Sequence, residues 1–329
     1  MTLDYGSGGK KTSALIEQMI LPALENDVLA ELGDGAVIPG AEQIVCSTDS
    51  FVVHPTVFPG GDIGKLAVCG TVNDVSMAGG EPKYLTLSLI LEEGFPMDEL
   101  ARILDSVRRT AQEAGVQVVT GDTKVVEHGK GDGIYINTTG IGALRTPGLS
   151  PSRLRPGDAV LVSGTVGDHG MAVMLARNPD LLTADFPSDC APLHRLALAL
   201  GNLGEDLRCM RDPTRGGLAT TLNEWIEGSP RGIEIREEAV PVTAGVRASA
   251  ELLGLDPFYS ACEGRLIAAV APERAEEALA ILRSFPEGRD AACIGTVTEE
   301  HPGRLVVVTP YGGRRIAAKL SGAQLPRIC

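Results

Sequence analysis

The sequence predicts a mixed α/β (α+β) protein built from two layered domains. Three observations predict it. Strand-like and helical stretches alternate in both halves, a Pro- and Gly-rich stretch divides them, and 329 residues are many for a single core. In the first half, Leu15, Ile16, Met19, Ile20, Ala23 and Leu24 recur at helical spacing. So do Leu100, Ile103, Leu104, Val107, Ala111 and Ala114, with Gly115 placed to cap the helix end. Runs 43–48, 116–120 and 135–141 read as strands. The stretch 146–158 carries Pro147, Pro151 and Pro156 with Gly148 and Gly157, and is expected to be the linker. Beyond it, 159–163 and 305–309 read as strands, and helical periods recur over 193–200 and 275–282. The expected division is 1–150, 151–320 and a mobile carboxy-terminal tail, 321–329. Alternation alone leaves open whether the sheets are parallel or antiparallel.

Composition narrows the partners. A net charge of −14 argues against nucleic acid and anionic membranes. No amino-terminal apolar core of a signal peptide and no membrane-length run is present, which predicts a cytosolic chain. Aromatics make up only 4% of residues, so the cores must rest on aliphatic side chains. Seven cysteines without a CxxC pair point to reduced thiols, not a disulfide framework. The five histidines show no metal-ligand spacing, and Trp225 reads as core.

Acidic residues recur beside small ones where strands are expected to end: Asp34, Asp49, Asn73 with Asp74, Asp122 and Asp212. Carboxylates at strand ends can converge, and oxygen ligands of this kind suit Mg²⁺ together with substrate phosphates. Gly6, Gly8, Gly9 and Lys10 lie in a loop that could cover phosphates. It is not a phosphate-binding P-loop, because position 4 is Asp4 and no strand precedes it. Lys124 and Glu263 are candidates for proton transfer. The chain finishes Leu325-Pro326-Arg327-Ile328-Cys329, a thiol at a free end. Arg327 and the terminal carboxylate oppose each other there, so no net shift of the thiol pKa is expected.

These segments together resemble the HypE family of hydrogenase maturation factors. The likeness rests on Thr48-Asp49-Ser50-Phe51, 58–67 (including Lys65), Gly121-Asp122-Thr123-Lys124, Asp212-Pro213-Thr214-Arg215-Gly216-Gly217 and the terminal Pro326-Arg327-Ile328-Cys329. The acidic motifs are shared with a wider ATP-using superfamily typified by aminoimidazole ribonucleotide synthetase, whose fold is therefore expected. The resemblance implies a homodimer and an ATP site in the amino-terminal domain. In it, Gly6, Gly8, Gly9, Lys10, Asp34, Asp49, Lys65, Asn73, Asp74, Asp122 and Asp212 would bind the nucleotide. Asp34, Asp49, Asp74 and Asp122 would hold Mg²⁺. It implies ATP-dependent dehydration of a carbamoyl group on Cys329 to a thiocyanate, the source of cyanide for a NiFe hydrogenase. Glu263 or Lys124 would be the base. The implied partners are the carbamoyltransferase HypF and an iron-bearing HypC–HypD complex. A small-molecule kinase and a non-catalytic carrier of modified cysteine are the competing classes. One departure stands out: Cys262 occupies the place where Asn is expected before Glu263 and Gly264.

Overall fold

A computed structural model describes residues 1–7, 9–180, 186–320, 322, 328 and 329. The first half holds a four-stranded sheet. Its strands are β1 (Ile44–Phe51), β2 (Gly80–Glu92), β3 (Gln117–Val126) and β4 (Ile134–Leu144), in the order β1-β4-β2-β3. Only the β2–β3 pair is parallel. Helices α1 (Ile63–Met77) and α2 (Met97–Ala114) cover one face, and among the described residues the other face carries no helix of the same half. The second half holds a seven-stranded sheet: β5 (Ala159–Val162), β6 (Leu207–Arg211), β7 (Gly232–Arg236), β8 (Ile267–Val270), β9 (Ala292–Thr298), β10 (Leu305–Val308) and β11 (Arg314–Ile316). Their order is β11-β10-β7-β9-β5-β8-β6, with β7–β10 the one parallel pair. Among the described residues, no helix is long and apolar enough to cross a membrane.

Most expected elements are found. Helix α2 ends at Gly115 in the left-handed conformation, as its sequence predicts. The expected linker joins β4 to β5 with one turn of helix at Pro151–Arg153. The expected tail lies mostly outside the described residues. The amino-terminal helical period is real but interrupted. A helix over Lys10–Leu15 widens into a π turn at Ile16–Ile20 and resumes over Leu21–Leu24. Pro22 supplies no N–H to the ladder there, which loosens the turn before it.

Helix α1 is the main departure from the sequence reading. Asp62 caps it, its carboxylate accepting from the Lys65 N–H at 2.9 Å. Of its fifteen residues, only Lys65 and Asp74 are not buried. A helix apolar on nearly every side has no amphipathic period, so its Val, Thr and Cys content resembled a strand. Asn73 and Asp74 therefore sit on a helix, not at a strand end. Asp49 and Asp122 also lie within β1 and β3 rather than after them.

Asn73 joins the two halves. It is fully buried, and its amide accepts from the Leu193 N–H at 2.7 Å. The same amide donates to the carbonyls of Ala191 at 3.1 Å and Glu263 at 3.3 Å. Replacing Asn73 with Ala strands these buried backbone groups, and the expected loss is about 2–4 kcal/mol. Thermal unfolding of the purified variant measures it; an unchanged Tm would show that the junction does not depend on this amide.

Candidate active site

The end of the chain lies where the two halves meet. Cys329 shares a cavity of about 50 Å³ with Asp49, Ser50, Phe51, Gly70, Asp212, Thr214, Arg215 and Glu263. They come from β1, α1, the loop after β6, the loop before β8 and the chain end. Asp49 lies on β1, facing the same side as Thr138, its partner on β4, which bonds to Thr71 of α1 at 2.5 Å. Asp74 follows Asn73 on α1 and accepts from Ser47 Oγ at 2.7 Å. Asp212 directly follows β6 and is 5% exposed. Glu263 sits in the loop before β8. Its backbone N–H donates to Asp189 Oδ1 at 3.1 Å, and its carbonyl is held by Asn73. Gly264 permits this path, since a Cβ there would lie 1.7 Å from the Asp189 carbonyl oxygen.

The electrostatics are those of crowded acids. Burial, then the charge of Asp74, raises Asp49 to about 6. Burial, then Asp74, raises Asp212 to about 7. Glu263 is pushed well above the usual carboxylate range, first by burial and then by Cys190 and Asp212. Its Oε1 is buried without a hydrogen-bond partner. Cys329 is pushed up to about 12, by burial first and Glu263 second. The sequence expectation of no net shift is thus corrected, because enclosure in the cleft outweighs the groups next to the thiol in the chain. Cys262 points elsewhere. It is buried in the second-half core, and its sulfur accepts the Gly167 N–H at 3.2 Å, so it leaves Glu263 undisturbed.

The other expected site residues fall outside this cluster. Asp122 pairs with Ser88, which pairs with Asn137, which pairs with Ser50. That row is one residue out of phase with Asp49 and so faces the opposite side of the sheet. It also lies three strand spacings away, roughly 14 Å. Asp122 is held below the usual carboxylate range by Lys124, whose Nζ lies 2.9 Å away. Gly6, Asp122 and Lys124 border a second cavity of about 220 Å³ walled by Leu21, Leu24 and Leu89. Gly6 packs directly on β3, where a Cβ would meet the Val125 nitrogen at 2.4 Å. Gly9 and Lys10 begin the first helix, and Gly8 lies outside the described residues. Asp34 is exposed in an irregular stretch. Lys65 stands at the opposite end of α1 from Asp74, roughly 13 Å along the axis. One chain therefore does not assemble the expected Asp34, Asp49, Asp74 and Asp122 ligand set. Among the described residues, no group of three acids, histidines or cysteines is close enough to hold a metal. Asn73 is committed to backbone, with both amide hydrogens and one lone pair of its oxygen in use.

Arg215 is the residue that sequence reasoning passed over. It borders the Cys329 cavity and opposes the rise of both the Asp49 and Cys329 pKa values. Its signal was present, in the run between Asp212 and Gly216.

Comparison with known proteins identifies the family. Residues 32–144 match the family model for the N-terminal domain of AIR synthase related proteins, and residues 155–308 match that for the C-terminal domain. Over 330 residues the chain is 51% identical to carbamoyl dehydratase HypE of Azotobacter vinelandii, covering 99% of this chain and 96% of that protein. The chain belongs to the HypE family. A crystal structure of HypE in complex with ATP superposes with a TM-score of 0.96 at 49% identity, covering 100% of this chain and 99% of the other. A chain of a HypE–HypF complex gives 0.81 at 46%, covering 93% and 100%. The aminoimidazole ribonucleotide synthetase-like fold expected from the sequence is the fold found.

The raised carboxyl groups have a consequence for stability. Asp49 and Asp212 titrate near 3.8 when unfolded and near 6 and 7 when folded. Their protonated forms favour the native state, so that contribution is complete below about pH 4 and is lost as pH rises through 6 and 7. In a chelator, Tm is expected to fall between pH 5 and pH 8, and Asp212→Asn is expected to flatten the fall. A flat Tm profile across this range would show that these acids are not crowded.

Proposed function

We propose that this protein is an ATP-dependent carbamoyl dehydratase acting on its own carboxy-terminal cysteine. The observation that carries the reading is Cys329 in a cavity beside Glu263, Asp49 and Asp212. Residues 1–150 form the nucleotide-binding and dimerisation domain, 151–320 the second α/β domain, and 321–329 the arm that bears the thiol. The protein works in the cytosol, in the maturation of NiFe hydrogenase.

The acid cluster suits a divalent cation. Carboxylates that resist simultaneous ionisation, with an orphaned Glu263 oxygen beside them, are a set of oxygen donors short of positive charge. No three of these acids are close enough to hold an ion by themselves, so Asp49, Asp74 and Asp212 would contact a Mg²⁺ that arrives with the nucleotide phosphates. Bound Mg²⁺ and ATP would supply charge neutralisation and a phosphoryl group that makes the carboxamide oxygen a good leaving group. Everything else falls to the protein. Cys329 sulfur carries the carboxamide. Glu263, once ionised, takes protons from the carboxamide nitrogen, which loses two as the nitrile forms. Arg215 faces the anionic groups from the mouth of the cleft. The cleft would limit the access of bulk water to the thiocarbamate.

Loading must happen elsewhere. A thiol held near 12 is a poor nucleophile, so Cys329 accepts its carbamoyl group from HypF with the arm withdrawn. The same arm then delivers the product to an iron-bearing HypC–HypD acceptor. A second copy would cover the open sheet face, on which Asp122 lies, and make the functional unit a homodimer.

A mass spectrum of the carboxy-terminal peptide tests the reading. With carbamoyl donor and Mg-ATP, the Cys329 adduct should lose one water. A carrier without chemistry predicts an adduct that ATP leaves unchanged, and a small-molecule kinase predicts phosphate release that survives Cys329→Ala. Glu263→Gln should load normally yet lose about 10²–10⁴-fold in the rate of water loss. A normal thiocyanate yield from that variant would place the base elsewhere.

A further inference from the structure

One buried side chain touches the end of the chain and has no part in the chemistry above. His169 is the second residue of α3 (Asp168–Arg177) and is fully buried. Its Nε2 lies 2.6 Å from the Ile328 carbonyl oxygen, and its Nδ1 lies 2.8 Å from Ser188 Oγ. A carbonyl oxygen can only accept, so Nε2 carries the proton and donates to Ile328. Nδ1 then accepts from the Ser188 hydroxyl. Ser188 is itself anchored. Its Oγ accepts from the Cys190 N–H at 3.0 Å, and its own N–H donates to the Pro59 carbonyl at 2.8 Å. The Phe58 ring meets the imidazole edge to face, centroids 5.3 Å apart, which fixes the plane of the ring. Burial holds the imidazole down to about 4, so at neutral pH it has a single N–H to give.

We infer that His169, oriented by Ser188, is the latch that holds the carboxy-terminal end in the cleft and sets Cys329 against Glu263. Among the described residues, it makes the one side-chain hydrogen bond to residues 328 and 329. The Ile328 side chain is 6% exposed and packs in the first-half core, so the latch closes over a seated apolar residue. The mount is shared with the proposed base. Gly170, next to His169, donates its N–H to the Ala261 carbonyl at 3.1 Å, two residues before Glu263. When the arm leaves, the Nε2–H loses its acceptor in a buried site, and that cost favours return. His169 is a positioning residue, and it holds the backbone whatever group the sulfur carries.

The rate at which iodoacetamide alkylates Cys329 tests this, read on the carboxy-terminal peptide of the full-length protein without nucleotide. His169→Phe keeps an aromatic ring against Phe58 but has no N–H. It is expected to speed Cys329 alkylation about tenfold. Cys69, Cys190 and Cys262 should stay unlabelled, which reports an intact fold. His169→Gln retains an amide N–H and should recover much of the protection. A wild-type Cys329 rate in His169→Phe, with the internal thiols still protected, overturns the latch. If His169→Phe exposes those thiols, Ser188→Ala decides: several-fold faster alkylation supports the latch, and an unchanged rate overturns it. No catalytic step enters the measurement, so the latch and the dehydration reading stand or fall separately.

Discussion

The side chain of Asn73 meets three backbone groups of the opposite half. This single amide fixes the geometry of the site. It sits near the end of α1, so Asp74, the next residue, is delivered to the junction. Its bond to the Glu263 carbonyl sets the loop that bears the proposed base. The helix can do this only because it is buried on nearly every side, pressed between its own sheet and the second half. A surface helix could not carry a polar residue into both halves at once.

That placement puts several carboxyl groups into a space that cannot hold them all ionised. Burial and mutual repulsion raise Asp49, Asp212 and Glu263 together. At rest the cleft lowers its charge by keeping protons, and in that state it tolerates a neutral thiol and the apolar Ile328 beside it. A cation would reverse the balance. It would favour the ionised acids, so that proton uptake by Glu263 would follow the charging of the cleft. On the proposed function, cation loading and base activation would be one electrostatic event rather than two separate devices.

The sequence made α2 and, in the second half, β5, β10 and the helices His194–Gly201 and Ala275–Arg283 readable because their apolar residues run together or repeat at 3.6-residue spacing, while β6, β7, β9 and α3 went unread. It hid α1, whose residues are apolar on all sides, and so Asn73 and Asp74 were placed at a strand end. The strands on the open sheet face were cut short for the opposite reason. Thr48, Thr86, Thr120 and Thr139 form a polar row across that face, and polar residues in a strand resemble a turn. The acids were legible singly. Their separation was not, because strand register decides which face Asp49 and Asp122 occupy, and no local motif encodes register. His169 was invisible for a related reason: its partners, Ser188 and Ile328, are respectively 19 and 159 residues away.

Glu263 and Lys124 could not be ranked from sequence, but they differ in reach. Glu263 borders the same cavity as Cys329, has an oxygen with no other partner, and is buried enough for its basicity to be strong once ionised. Lys124 is exposed, lies on the far edge of the sheet and is already paired with Asp122. To act on a group at Cys329 it would have to come from a second copy and break that pair, a cost that Glu263 does not bear. Position and desolvation therefore favour Glu263 as the base.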